Sequence, residues 1–380
     1  MELKPPVVSG VDVLRTPALI IDLDAVDHNI SVTLRLLGGD PDRWRPHLKT
    51  AKLALTMRRL RAGGVLRAKC ATTLELETAC AEGFTDVLLA YPAQGPHPAV
   101  VRGIADRFPG TVVSALVEHP DMLAAWKGSS VGLYIDLNPG MSRTGMPLDP
   151  PEDVLALARA IGEAGLRFAG LHYYDGHAHA FAAPERERLV TEGYDRLFAL
   201  VESLRGAGCA VPEVITAGTP AFPGALHYPR FSGAGVAHRL SPGTVVYNDR
   251  GSLSQLPAEA GYRPAVFVLS RVVSHPGPSR FCCDAGHKTV SADSGDPTCS
   301  VMGHPDFVPQ HPSEEHLPVD VPAGTGLPAR GSLLWLLPGH VCPTVNNFDH
   351  AVIVSGGTVQ GLERVTARGR HPPFEPSAGP

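Results

Sequence analysis

Over about 230 residues the chain alternates short apolar runs with stretches of helical spacing. Nothing else in it constrains the fold as tightly. A strand–helix–strand repeat buries its apolar faces only in a parallel sheet covered by helices. Ala18–Ile21, Leu66–Cys70, Val87–Ala90, Val112–Leu116, Val131–Leu137, Phe168–Tyr174 and Val214–Thr216 read as strands. Leu23–Leu37, Leu74–Ala81, Pro98–Phe108, Glu152–Ala164 and Glu185–Arg205 read as helices, the first capped by Asp24. The unit count predicts an α/β fold, a (β/α)8 TIM-type barrel over residues 15–248. A doubly wound open sheet is the alternative. No GxGxxG turn follows the first strand, so a dinucleotide site is not indicated.

After residue 250 the helical period fades. Ala265–Val273, Arg280–Cys283, Ser332–Leu337 and Ala351–Ser355 read as strands between Gly, Pro and Asp turns. We expect a mostly β domain over residues 249–370, with residues 1–14 packing against it. Ser291–Pro312 reads as a long loop and residues 371–380 as a disordered tail. A net charge of −5 gives no electrostatic reason to expect nucleic acid or an anionic membrane as partner. No apolar run spans a bilayer, and the N-terminus lacks a signal-peptide core, so a cytoplasmic location is expected. Seven scattered cysteines, an odd number, point to reduced thiols rather than a disulfide framework.

Active sites of such barrels gather at the carboxyl ends of the strands. Lys49 ends the segment Trp44–Thr50 at such a place, where a lysine can form a Schiff base with a carbonyl substrate or with pyridoxal phosphate (PLP). Arg143, in the loop Asn138–Gly145, is a donor fork suited to an anionic or phenolic oxygen; a surface salt bridge explains it equally well. The stretch from His172 to His177 includes Tyr174 and closes another strand. Gly218 and Thr219 form a turn able to meet a phosphate, and the loop Ser241-Pro242-Gly243-Thr244, with Gly243 and Thr244, forms a second. Downstream, an apolar strand leads into Gly339-His340-Val341-Cys342-Pro343-Thr344. In an extended His-x-Cys both side chains share one face, and imidazole plus thiolate suits zinc or a similar divalent ion.

These pieces, taken in order, resemble the D-threonine aldolase/D-serine dehydratase family, a branch of the fold-type III, alanine racemase-like PLP enzymes. The resemblance rests on Arg45–Thr50, Asn138–Gly145, His172–His177, Gly218–Pro220, Ser313–His316 and His340–Thr344. It implies an alanine racemase-like N-terminal barrel, a C-terminal β domain and a homodimer. Lys49 is then the PLP lysine, Arg143 the partner of the cofactor's phenolic oxygen, and Tyr174 a wall of its pocket. Gly218 and Thr219 hold the phosphate, and His340 and Cys342 bind Zn2+ or Mn2+. Histidine is common in the family where this chain has Ala51 and Phe348. The implied activity is a lyase on 3-hydroxy-D-amino acids, through an external aldimine with the β-hydroxyl on the metal. Its outcome is either retro-aldol cleavage or dehydration. Lys49 is the natural base at Cα, and His177 a candidate base at the β-hydroxyl. An amino-acid racemase is the alternative, and the His340/Cys342 pair argues against it. A non-catalytic PLP-binding protein is a third reading, against which the β domain argues.

Overall fold

The structure, a computed structural model, describes residues 4–374. Its strands are β1 (Ala18–Asp22), β2 (Arg67–Cys70), β3 (Asp86–Pro92), β4 (Val112–Val117), β5 (Gly132–Leu137), β6 (Arg167–Tyr173), β7 (Glu213–Thr216) and β8 (Ala237–Leu240). There follow β9 (Val266–Gly277), β10 (Arg280–Cys283), β11 (Cys299–Val301), β12 (Val308–Pro309), β13 (Leu317–Asp320), β14 (Leu333–Pro338), β15 (His350–Ser355) and β16 (Thr358–Arg364). The chain divides into two compact units. Among the described residues, one holds 33–49, 60–243 and 369–374; the other holds 4–32, 50–59 and 244–368.

The first unit is the parallel sheet, seven strands in the order β2 to β8. Helices such as Thr73–Ala81, His97–Arg107, Pro151–Glu163 and Ala183–Gly206 lie between its strands in the chain. Thr72 caps the first of these by accepting from the Glu75 N–H at 3.1 Å. Leu88, Leu116, Tyr134, Ala169 and Ile215, one from each strand from β3 to β7, pack together as a core. A short segment joins the two edges of the sheet. Trp44 bridges Leu240 on β8 and His47 bridges Lys69 on β2, both in parallel sense. The Arg45 N–H donates to Leu240 O at 2.8 Å, and the Leu48 N–H to Lys69 O at 2.7 Å. Gly243 allows the close approach at this seam: a Cβ there would lie 2.4 Å from His47 O. The eight-membered barrel thus forms, but its eighth stave is Trp44–His47.

The strand expected to open the barrel lies elsewhere. β1 pairs in parallel with β15 and antiparallel with β9, inside the nine-stranded sheet of the second unit. An apolar run such as Leu19-Ile20-Ile21 fits any doubly covered strand, so its pattern names no partner. Asp22 rather than Asp24 caps the following helix, accepting from the Asp24 N–H at 3.0 Å and the Ala25 N–H at 3.2 Å. Asp24 instead receives Ser355 Oγ at 2.8 Å. Val11, Ile20, Phe267, Leu269, Leu337 and Val352 share one core, so the residues before β1 do pack in this unit.

Two further expectations are corrected. Ser291–Pro312 is not all loop, because β11 pairs with β14 and β12 with β13. The tail begins ordered. His371 contacts Thr73 Oγ1 and Glu77, each at 2.7 Å, and Arg368 pairs with Asp349 at 2.9 Å. Residues 375–380 of that tail lie outside the described residues. Among the described residues, no helix is long and apolar enough to cross a membrane.

Candidate functional site

At the carboxyl end of the barrel is a cavity of about 250 Å³, lined by His47, Lys49, Lys69, Arg143, His172 and Tyr174 among others. Strand geometry delivers these groups. Lys49 follows the seam segment, where the Lys49 N–H donates to His47 Nδ1 at 3.3 Å. Tyr174 comes directly after β6. Arg143 rides the loop after β5, which Asn138 holds in shape by accepting from the Gly140 and Ser142 N–H groups, both at 2.9 Å. Gly145 closes that loop at φ 95°, where a Cβ would lie 2.6 Å from the Leu137 carbonyl carbon.

The Tyr174 ring organises three cations. Lys49 Nζ lies 5.8 Å, Lys69 Nζ 5.0 Å and Arg143 Cζ 5.0 Å from its centroid. Below the ring, a Cβ on Gly218 would lie 3.0 Å from Tyr174 Cε2, so the glycine admits the ring. The Gly218 N–H is committed to Asp175 Oδ1 at 2.9 Å, and Asp175 Oδ2 accepts from Tyr194 at 2.8 Å. Burial raises the Asp175 carboxyl despite these bonds.

Thr219 and Ser241 differ from Gly218. Each is buried, and neither hydroxyl has a hydrogen-bond partner among the described residues. They follow β7 and β8, the place where barrels of this kind seat a phosphate. Unmet hydroxyls at that place fit a phosphate group. Gly243, expected to face the phosphate, packs on His47 instead. Thr244 Oγ1 lies 3.9 Å from Cys342 Sγ. Within the expected loop Ser241–Thr244, the unmet hydroxyl is that of Ser241.

The sequence reading misses Lys69 and Asp136. Lys69 Nζ lies 3.2 Å from His172 Nε2, and His172 Nδ1 lies 2.7 Å from Asp136 Oδ1. Burial raises the Asp136 carboxyl, but the His172 bond and charge, the Thr144 bond and the Lys69 charge together outweigh it and hold the group below the usual carboxylate range. Burial and then the Lys69 charge lower His172. Lys69 itself drops to about 7, first from burial and then from the Lys49 charge. His177 does not join them. It sits in a 3-10 turn, Gly176–Ala180, and lines a separate cavity of about 290 Å³ with Phe181, Glu185 and Arg188. β6 ends at Tyr173, and His177 lies beyond it, in the turn.

In the other unit, His340 and Cys342 are not on a strand. His340 is extended at the N-cap of a short helix, Val341–Asn346, and Cys342 lies in its first turn. The two side chains nevertheless hydrogen-bond each other. His340 Nδ1 meets Asp293 Oδ2 at 2.6 Å, and Thr50 Oγ1 meets Cys342 Sγ at 3.0 Å. Burial opposes protonation of His340, but the Cys342 and Asp293 contacts outweigh it and push the imidazole up to about 9. An imidazole oriented by a carboxylate and touching a thiol suits two corners of a divalent-ion site. Among the described residues, no three His, Cys, Asp or Glu side chains form a metal-sized cluster.

Comparison with known proteins finds relatives along nearly the whole chain. A D-threonine aldolase of Arthrobacter sp is 28% identical over 97% of each chain. A D-threo-3-hydroxyaspartate dehydratase of Delftia sp. (strain HT23) is 27% identical over 93% of this chain and 97% of its own. The crystal structure of D-threonine aldolase from Filomicrobium marinum superposes with a TM-score of 0.86 at 28% identity, over 97% of this chain and 98% of that one. A putative serine dehydratase domain matches residues 265–354. The alanine racemase N-terminal domain matches residues 21–250, which takes in the barrel from its seam to the loop after β8. By that match and by the strand-end lysine, arginine and hydroxyl groups it encloses, the chain belongs to the alanine racemase N-terminal domain family.

Proposed function

We propose that this chain is a PLP-dependent lyase acting on 3-hydroxy-D-amino acids, with a divalent metal at His340 and Cys342 and a homodimer as its assembly. The observation that carries the reading is the grouping of Lys49 and Arg143 about Tyr174, with unmet hydroxyls on Thr219 and Ser241. That set matches a flat phosphorylated pyridine aldehyde part by part. Lys49 would hold it covalently, Arg143 would donate to its ring oxygen, Tyr174 would flank it, and Thr219 and Ser241 would donate to its phosphate. Aldolase and dehydratase relatives along nearly the full chain support the lyase class.

When bound, PLP supplies an electron sink for charge at Cα and the metal a Lewis acid for the β-oxygen. This chain's residues then do the positioning and the proton work. Arg143 fixes a negative oxygen with a two-pronged donor. The Lys49 amine, once released, is placed to take or return the proton at Cα. Asp175 keeps the Gly218 turn in place beneath Tyr174.

Purified protein supplied with PLP and Zn2+ or Mn2+ is expected to turn over D-threonine, D-serine or 3-hydroxy-D-aspartate. Glycine plus aldehyde marks cleavage; keto acid plus ammonia marks dehydration. Excess EDTA is expected to abolish either activity, and re-added metal to restore it. A racemase is the second reading, favoured by one observation: Lys69 gives the cavity a second amine. Formation of L-amino acid from its D-enantiomer, undiminished by EDTA and without those products, would overturn the lyase reading.

A further inference from the structure

We propose that Lys69 is a second proton-handling amine of this site, aimed into the cavity by the His172–Asp136 pair and acting at the β-oxygen of the substrate. The inference rests on the lyase reading.

The geometry fixes the direction of each hydrogen bond. Asp136 Oδ1, 2.7 Å from His172 Nδ1, accepts the ring proton. His172 Nε2 is then a lone pair, and Lys69 Nζ donates to it across 3.2 Å. One N–H of Lys69 is thereby pinned to the barrel wall, and the rest of the amine is left to the cavity that Lys69 lines with Lys49. Among the described residues, Lys69 has no carboxylate within ion-pairing distance, which separates it from a structural lysine held in a salt bridge. The charged and titratable groups around it are Lys49 and Arg143, which repel its proton, Asp136 and Asp175, which attract it, and His172 and Tyr174 in contact. The balance leaves it able to exchange a proton near neutrality.

In cleavage, the neutral amine takes the β-hydroxyl proton. The O–H bond breaks, an N–H bond forms, and the pair left on oxygen becomes the second bond of the aldehyde carbonyl as Cα–Cβ breaks. A proton returned to Cα completes glycine. In elimination, the protonated amine donates to the departing oxygen as Cβ–O breaks, and water leaves. No further reactant is needed in either case.

Two arms test this. In apoprotein labelled with 13C/15N-lysine, the side-chain NMR signal absent from the Lys69→Met protein is expected to titrate near pH 7. In the loaded enzyme, Lys69→Met and Lys69→Arg are both expected to lose roughly 100-fold or more in kcat. KM is expected to move less than about threefold, and both variants to lose the near-neutral ionisation in the kcat pH profile. Arg keeps charge and donors but cannot give up a proton, so a role in anchoring a substrate carboxylate would survive Lys69→Arg. A Lys69 signal titrating near the ordinary value of about 10.4, or near-full activity in Lys69→Arg, overturns the proposal. Should Lys69→Met fail to fold by circular dichroism, Lys69→Arg and the wild-type titration still decide it. If the wild type converts no 3-hydroxy-D-amino acid, the lyase reading fails, and the NMR arm still shows whether Lys69 titrates as claimed.

Discussion

Thr219 is 5% exposed, and its hydroxyl has no partner among the described residues. Leaving such a group unmet costs about 1–3 kcal/mol, so the apoprotein carries a strain that a bound phosphate would relieve. Thr219→Val is therefore expected to keep or slightly raise the melting temperature of apoprotein. It is also expected to weaken PLP binding about tenfold, near 1.4 kcal/mol, as read by absorbance titration. Lower stability with unchanged PLP affinity would assign Thr219 to the fold alone. Residues like Thr219, Lys49 and Arg143 are legible in the sequence because each sits in a short local motif. Lys69 is not. Its neighbours Ala68 and Cys70 suggest only a buried strand, and its partner His172 is distant in sequence. His177, close to His172 in sequence, lines a different cavity.

Among the elements, the seam segment carries a buried ion-pair network. Arg45 is fully buried, forks onto both oxygens of Asp86 at 2.9 and 2.7 Å, and lies 3.1 Å from Glu213. Arg67 also pairs with Asp86 at 2.6 Å, and Arg239 with Glu213 at 2.5 Å. Removing one member of such a network leaves buried charge uncompensated. Arg45→Met is expected to lose about 3 kcal/mol in urea unfolding at pH 7. The pH dependence follows from Asp86. Burial raises its carboxyl, but Arg45 and Arg67 outweigh that and hold it below the usual range. A depressed carboxyl stabilises above its unfolded pKa of about 3.9 and loses that contribution as pH falls through the folded value. The gap between wild type and Arg45→Met is thus expected to narrow in acid. A gap that is constant with pH would mean lost packing rather than lost charge. The sequence reading foresaw a barrel stave near Lys49 but placed Ala18–Ile21 beside it, because hydrophobic period reports burial and not pairing.

For the whole molecule, the consequential fact is that the second unit is assembled from three stretches of chain. The turn-rich texture after residue 250 announces a β-sheet, and that much is legible. The sequence does not announce that β1 sits between β9 and β15 in it. Without β1, two interior strands become open edges and the core around Ile20 loses its centre. A fragment of residues 249–370 expressed alone is therefore expected to be unfolded or aggregated, with poor amide dispersion in NMR spectra. A well-dispersed spectrum would show the sheet tolerates loss of its middle strand.

The seam has a further consequence in the order of synthesis. Lys49 leaves the ribosome early, and β8, which Trp44 must bridge, leaves much later. A nascent chain therefore carries Lys49 long before it has the ring that seats it. Only when Leu240 arrives do the edges join, and the amine then gains a fixed address beside Tyr174. On the proposed PLP reading, closure of the ring would thus act as an inspection step: a half-made or misjoined barrel would have the lysine but nowhere to load a cofactor onto it.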